Sequence, residues 1–180
     1  MNETDLKIDE IIKKSTENVF EVLRKNGFEI REKKNTYQKT EQLLYLIPNL
    51  KESIKHNKKK IDDLKLYGIE KKGSAVHVIP ANTPVRKEES EIVDLEISKL
   101  LQRNHIINST IKWVNEIIST QSKEKYFDII DLKYFKNKTY EDMAEYFQCD
   151  TKTIGRNKNK LINNIKVLLF PNDSIDEIGD

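Results

Sequence analysis

Lys152, Arg156 and Asn159, with Thr151, Thr153 and Asn157 beside them, set cationic, amide and hydroxyl side chains at helical spacing within the stretch TKTIGRNKNKLI. Arg and Lys donate to guanine O6 and N7, and Asn pairs with adenine N6 and N7. Residues of these types on one helix face therefore suit the base edges of the DNA major groove. Lys158 and Lys160 lie alongside, where the alternative is a solvated face; Arg156 has the alternative of an ion pair with Asp150 or Glu145. Elsewhere the chain offers little chemistry. There is no glycine-rich phosphate loop and no nucleophile motif, and His56, His77, His105 and Cys149 have no metal-ligand spacing. Asp62-Asp63 and Glu88-Glu89 are adjacent carboxylates that would point to different helix faces. No catalytic residue, cofactor or metal is expected, and an enzyme is the least favoured class.

The elements that must position these residues lie within Thr139 to Ile162. Thr139 and Asp142 form a capping-box pattern at the start of one short helix, whose buried face is Met143, Ala144 and Phe147. Gln148-Cys149-Asp150 makes a turn, with Cys149 as a small apolar plug and Gln148 where a glycine is usual. Asp150 is placed to cap the next helix through the amide of Lys152 or Thr153. That helix, Thr151 to about Ile162, buries Ile154 and Leu161 and is read as the recognition helix of a helix-turn-helix. Gly155 inside it costs roughly 1 kcal/mol against alanine. It either lets the backbone approach DNA or is a tolerated surface glycine. Phe127, Ile130 and Tyr134, in a helix over 126–135, would support the pair, and the second helix would run on until Phe170-Pro171.

Upstream, Asp5 to Asn26 has apolar residues near helical period and a stop at Asn26-Gly27. From Thr40, Leu43, Ile47, Leu50, Ile54, Asn57, Ile61 and Leu64 step by four and three, as a heptad seam does. Pro48 interrupts this seam, so a kink or a fresh helix is expected there. Tyr67-Gly68 ends the segment. In Glu88 to Thr120, Val93, Ile97, Leu100, Asn104, Ile107, Ile111, Val114 and Ile118 repeat the same stepping. The two segments suggest an antiparallel hairpin or a surface for homodimerisation, with Asn57 and Asn104 at seam positions helping to fix register or partner. The chain thus divides into an N-terminal helical arm (1–35), a hairpin or coiled-coil-like region (36–120) with a linker near 68–87, the helix-turn-helix domain (121–171) and a tail (172–180). The fold class is all-α.

The 180 residues are 34% charged and 37% apolar, with 5 glycines and 4 prolines, which favours a helical and highly solvated chain. A net charge of +2 is no polycation, so affinity for nucleic acid has to come from local clustering. The single cysteine, the polar N-terminus and the lack of any long apolar run point to a cytoplasmic protein without signal peptide or membrane span.

The run IIDLKYFKNKTYEDMAEYFQCDTKTIGRNKNKLI resembles region 4 of the bacterial sigma-70 family. With the earlier KTEQLLYLIPNLKESI and the heptad region, the chain over roughly 37–170 is similar to the sigma-like phage regulators of the ArpU kind, relatives of RinA-type activators. The resemblance implies a sequence-specific activator of phage late genes, for packaging or lysis, acting on double-stranded DNA with host RNA polymerase. It carries Lys152, Arg156 and Asn159 over as base readers and Lys138, Tyr140, Thr151 and Lys158 as phosphate contacts. Residues 1–120 lack the interleaved aromatic and basic cluster with which a complete sigma factor melts promoters. A diverged sigma factor and a helical protein-interaction adaptor remain the alternatives.

Overall fold

The computed structural model describes residues 16–28, 35–68 and 87–171, and among them the regular structure is entirely helical. The expected helix from Asp5 is described only from Thr16; the linker with His77, and the tail, lie outside the described residues. Helix α1 (Thr16–Lys25) buries Val19, Phe20 and Leu23, one stripe of an otherwise polar helix. It stops at Gly27, whose φ of 80° lets the Phe28 amide turn back onto Leu23 O at 3.1 Å.

Helix α2 (Thr36–Tyr67) begins one turn earlier than the heptad at Thr40, because the Asn35 side chain caps it by accepting from the Gln38 amide at 2.8 Å. It passes through Pro48 as one element, so no new helix starts there. Proline removes one backbone hydrogen bond from a helix interior. Leu43, Leu44, Ile47 and Leu50, all fully buried, hold the chain helical on both sides of that gap. Gly68, at φ 69°, ends it.

Helix α3 (Lys87–Ser119) lies antiparallel against α2: Asn57 meets Asn104 and Lys60 meets Glu96, so one number rises as the other falls. The main core runs from α1 through α2 and α3 to the C-terminal helices without a break. A second, smaller cluster of Ile61, Leu64 and Leu100, with Val93 and Ile97 against it, lies farther out along the hairpin. Between the two clusters Asn57 Nδ2 donates to Asn104 Oδ1 at 2.8 Å, both residues being buried. Sliding one helix past the other would leave two amides facing aliphatic carbon, so this pair holds the register.

Residues 120–128 form consecutive turns where a helix from Tyr126 was expected. A π-helical segment then spans Asp131–Phe135, with Lys136 N bonded to Asp131 O at 2.9 Å. Ile130 and Tyr134 are buried and Phe127 packs against the core. Two last helices follow, α4 (Tyr140–Tyr146) and α5 (Thr151–Leu169), and α5 also packs on α2 and α3.

Candidate functional site

The sequence folds into α4 and α5 through three local devices. Thr139 Oγ1 accepts from the Asp142 amide while Asp142 Oδ2 accepts from the Thr139 amide, both at 3.1 Å. The Thr139 backbone amide beside it holds the Asp142 carboxyl below the usual range. Gln148 itself takes the left-handed conformation (φ 50°) that glycine would supply, and the Cys149 amide returns to Ala144 O at 3.0 Å. Asp150 then caps α5 through the Thr153 amide at 2.7 Å, and that same amide holds its carboxyl below the usual range. Met143 and Ile154 are fully buried between the helices, and Leu161, Ile162 and Ile165 anchor α5 to the rest of the core.

What this leaves outside is a stripe along α5. Lys152, Arg156 and Asn159 are exposed, and so is Asn163, which shares their face at the same spacing. From Lys152 to Asn163 the stripe rises about 16 Å at 1.5 Å per residue, the length of about five base pairs at 3.4 Å each. The side chains of Lys152 and Arg156 have no ion pair or hydrogen bond among the described residues, so the Arg156 guanidinium meets neither Asp150 nor Glu145. Asn163 lies one residue past the expected end of the recognition helix. Its spacing of four from Asn159 and seven from Arg156 was the signal that would have found it.

The other candidates divide. Lys138 and Thr151 are exposed, Lys138 ahead of α4 and Thr151 at the start of α5. Tyr140 is half-buried, with Lys133 Nζ 5.2 Å from its ring centroid. Thr153 is consumed by the cap, its hydroxyl on Asp150 Oδ2 at 3.0 Å, and Asn157 Nδ2 turns back to Thr153 O at 2.9 Å. Lys160 reaches Glu124 at 2.8 Å in an exposed pair. Lys158 points away from the stripe: its side chain is only 12% exposed and its ammonium is 3.0 Å from Glu41 Oε1. Gly155 faces α4, since a Cβ there would sit 3.8 Å from Tyr140 Cε1. That is ordinary contact and the backbone is helical, so Gly155→Ala is expected to raise stability by about 0.5–1 kcal/mol in urea denaturation.

Lys158 belongs to a polar network that sequence reasoning missed. Glu41, one turn into α2, accepts from Lys158 and, at 2.7 Å, from the Tyr134 hydroxyl. Tyr45 packs edge-on against Tyr134, with centroids 4.7 Å apart. Burial, and then the bond to the Glu41 carboxylate, hold the Tyr134 hydroxyl far above the ordinary phenol range. For Lys158 burial works against the charge, but hydrogen bonding to Tyr37 and Glu41 outweighs it and holds the ammonium above its ordinary value. Both groups keep protons in the folded chain at a pH where the unfolded chain loses them. Stability is therefore complete below the ordinary tyrosine value of 10.0 and declines as pH rises beyond it. Tyr134 alone contributes a slope of about 1.4 kcal/mol per pH unit, which urea titrations between about pH 8 and 11 would read and Tyr134→Phe would flatten.

Among the described residues no group of His, Cys, Asp and Glu is placed to hold a metal ion, and no helix is long and apolar enough to cross a membrane. In comparisons with known proteins, no family model, no curated protein and no solved structure matches this chain.

Proposed function

We propose that the protein is a sequence-specific DNA-binding regulator of transcription, with α4 and α5 as a helix-turn-helix of the sigma region 4 kind. The observation that carries this reading is the open stripe Lys152, Arg156, Asn159 and Asn163, whose two cationic side chains have no partner among the described residues. An exposed arginine and lysine with that freedom, on a helix capped and anchored by its opposite face, are suited to guanine edges in a major groove. Lys138 and Thr151, at the starts of the two helices, are placed for phosphates.

The particular form of the proposal follows the resemblance to ArpU- and RinA-type regulators: an activator of phage late genes that works with host RNA polymerase. Leu66, Tyr67, Ile92 and Leu95 are exposed at the end of the α2–α3 hairpin away from α5, and we assign the polymerase contact to that end. A homodimer through the heptad seam is less well supported, because Leu43, Ile47, Leu50, Ile61 and Leu64 are already covered within one chain. Such a dimer would have to displace α3 from α2.

The test is to incubate the purified protein with sheared DNA of its source genome and sequence what is retained. Enrichment of one or a few sites supports the reading, and their placement upstream of genes supports activation. Retention without sequence preference, or none at all, contradicts it.

A further inference from the structure

Within the exposed stripe, Asn159 is the residue whose side chain is held from another part of the chain. Tyr37, in the first turn of α2, donates its hydroxyl hydrogen to Asn159 Oδ1 at 2.8 Å. Lys158, the residue before, lies against the same tyrosine, with Nζ 5.5 Å from the ring centroid. An ammonium has hydrogens to give and no lone pair to offer. Lys158 therefore offers the Tyr37 hydroxyl hydrogen no acceptor. The acceptor within reach is Oδ1. Burial raises the Tyr37 hydroxyl above its usual range, with the Lys158 bond opposing, so the hydroxyl keeps the hydrogen it donates.

The consequence is an amide of defined polarity. Its oxygen is turned toward α2, which leaves the Nδ2 hydrogens of this exposed residue without a partner among the described residues. We infer that Tyr37, from outside the helix-turn-helix, is a specificity-determining residue: it makes Asn159 a donor toward the groove, selecting a base with an acceptor edge against cytosine. Guanine offers N7 and O6, adenine N7 and thymine O4, whereas the cytosine major-groove edge offers the N4 donor and would need the amide turned over. Without Tyr37 the amide is free to turn, and cytosine becomes acceptable. This inference rests on the proposed function, since it assumes that the stripe reads bases.

The test is a selection from randomised duplex DNA with three full-length proteins: wild type, Asn159→Ala and Tyr37→Phe. The position whose preference disappears in Asn159→Ala is the one that Asn159 reads. Wild type is expected to exclude cytosine there. Tyr37→Phe is expected to lose about fivefold of that discrimination, the worth of one hydrogen bond, while every other position and the salt dependence stay as in wild type. A merely structural role for Tyr37 would weaken all positions together, and that result would overturn the inference. So would a wild-type preference for cytosine, base frequencies unchanged by Tyr37→Phe, or no position lost in Asn159→Ala. Should wild type enrich no sequence at all, the proposed function fails and this inference with it.

Discussion

Wild-type affinity for the selected site is expected to fall by roughly 30-fold to 10⁴-fold when Lys152 and Arg156 are both replaced by alanine. Each good contact to a base edge discriminates by about 1–3 kcal/mol, and the two side chains lie a turn apart on the same open face, so their contributions are counted together. The fold has no stake in either residue. Both are exposed and neither has a partner among the described residues. The melting temperature of the double variant should therefore stay with wild type, its stability differing by no more than about 0.5 kcal/mol. Anisotropy titrations across a salt range separate two modes of contact. Loss of base contacts lowers affinity and leaves the salt slope, whereas loss of two phosphate contacts reduces that slope by about two. Equal affinity of the two proteins would remove these residues from the interface.

Glu41→Ala is expected to do the opposite, harming the fold first. It strips the shared acceptor on α2 from the Lys158 ammonium of α5 and from the Tyr134 hydroxyl of the π-helical segment. Breaking a buried ion pair from one side costs about 3–5 kcal/mol; with the Glu41 side chain still 27% exposed, water repays part of that, and a loss of about 2–3 kcal/mol is expected. For a chain of this size that is a melting point lower by roughly 5–10 °C. Glu41→Gln keeps an oxygen for Tyr134 and removes the charge, so it should fall between alanine and wild type. Calorimetry on the three proteins checks the order. A melting point for Glu41→Ala equal to that of wild type would mean that the network does not hold α5 against α2.

The contrast between these two variants follows what the sequence can and cannot disclose. Local devices are legible. The Thr139–Asp142 box and the Asp150 cap each close within three residues, and Ile154 and Leu161 fall on the inner face of α5 at helical spacing. Asn57 and Asn104 stand out as polar residues inside two apolar seams, the kind that fixes register or partner, and in the structure they meet each other. Gln148 was harder, because glycine is the usual signal for a positive φ and a glutamine carries none. The contacts that fix the site's electrostatics were out of reach. Glu41 and Lys158 are 117 residues apart, Tyr37 and Asn159 122, and no periodicity within either helix points to the other. Lys158 therefore reads as one more surface cation in the run Arg156 to Lys160. Only the packing of α2 on α5 shows that it turns inward while its neighbours stay out. Tyr126 to Phe135 misled in part: its apolar spacing is helical, but the chain makes turns through Asp128, becomes helical at Ile129 and winds as a π-helix over Asp131–Phe135.

Whether α5 lays its stripe in a major groove is read by methylation interference on a site retained by the wild-type protein. Dimethyl sulfate methylates guanine N7 in the major groove and adenine N3 in the minor groove. Methylation at one or more guanine N7 positions, within a span of about five base pairs, is expected to block binding by wild type. The Lys152→Ala/Arg156→Ala protein is expected to lose this sensitivity along with its affinity. Interference confined to adenine N3, or none at any guanine, would contradict the placement of α5.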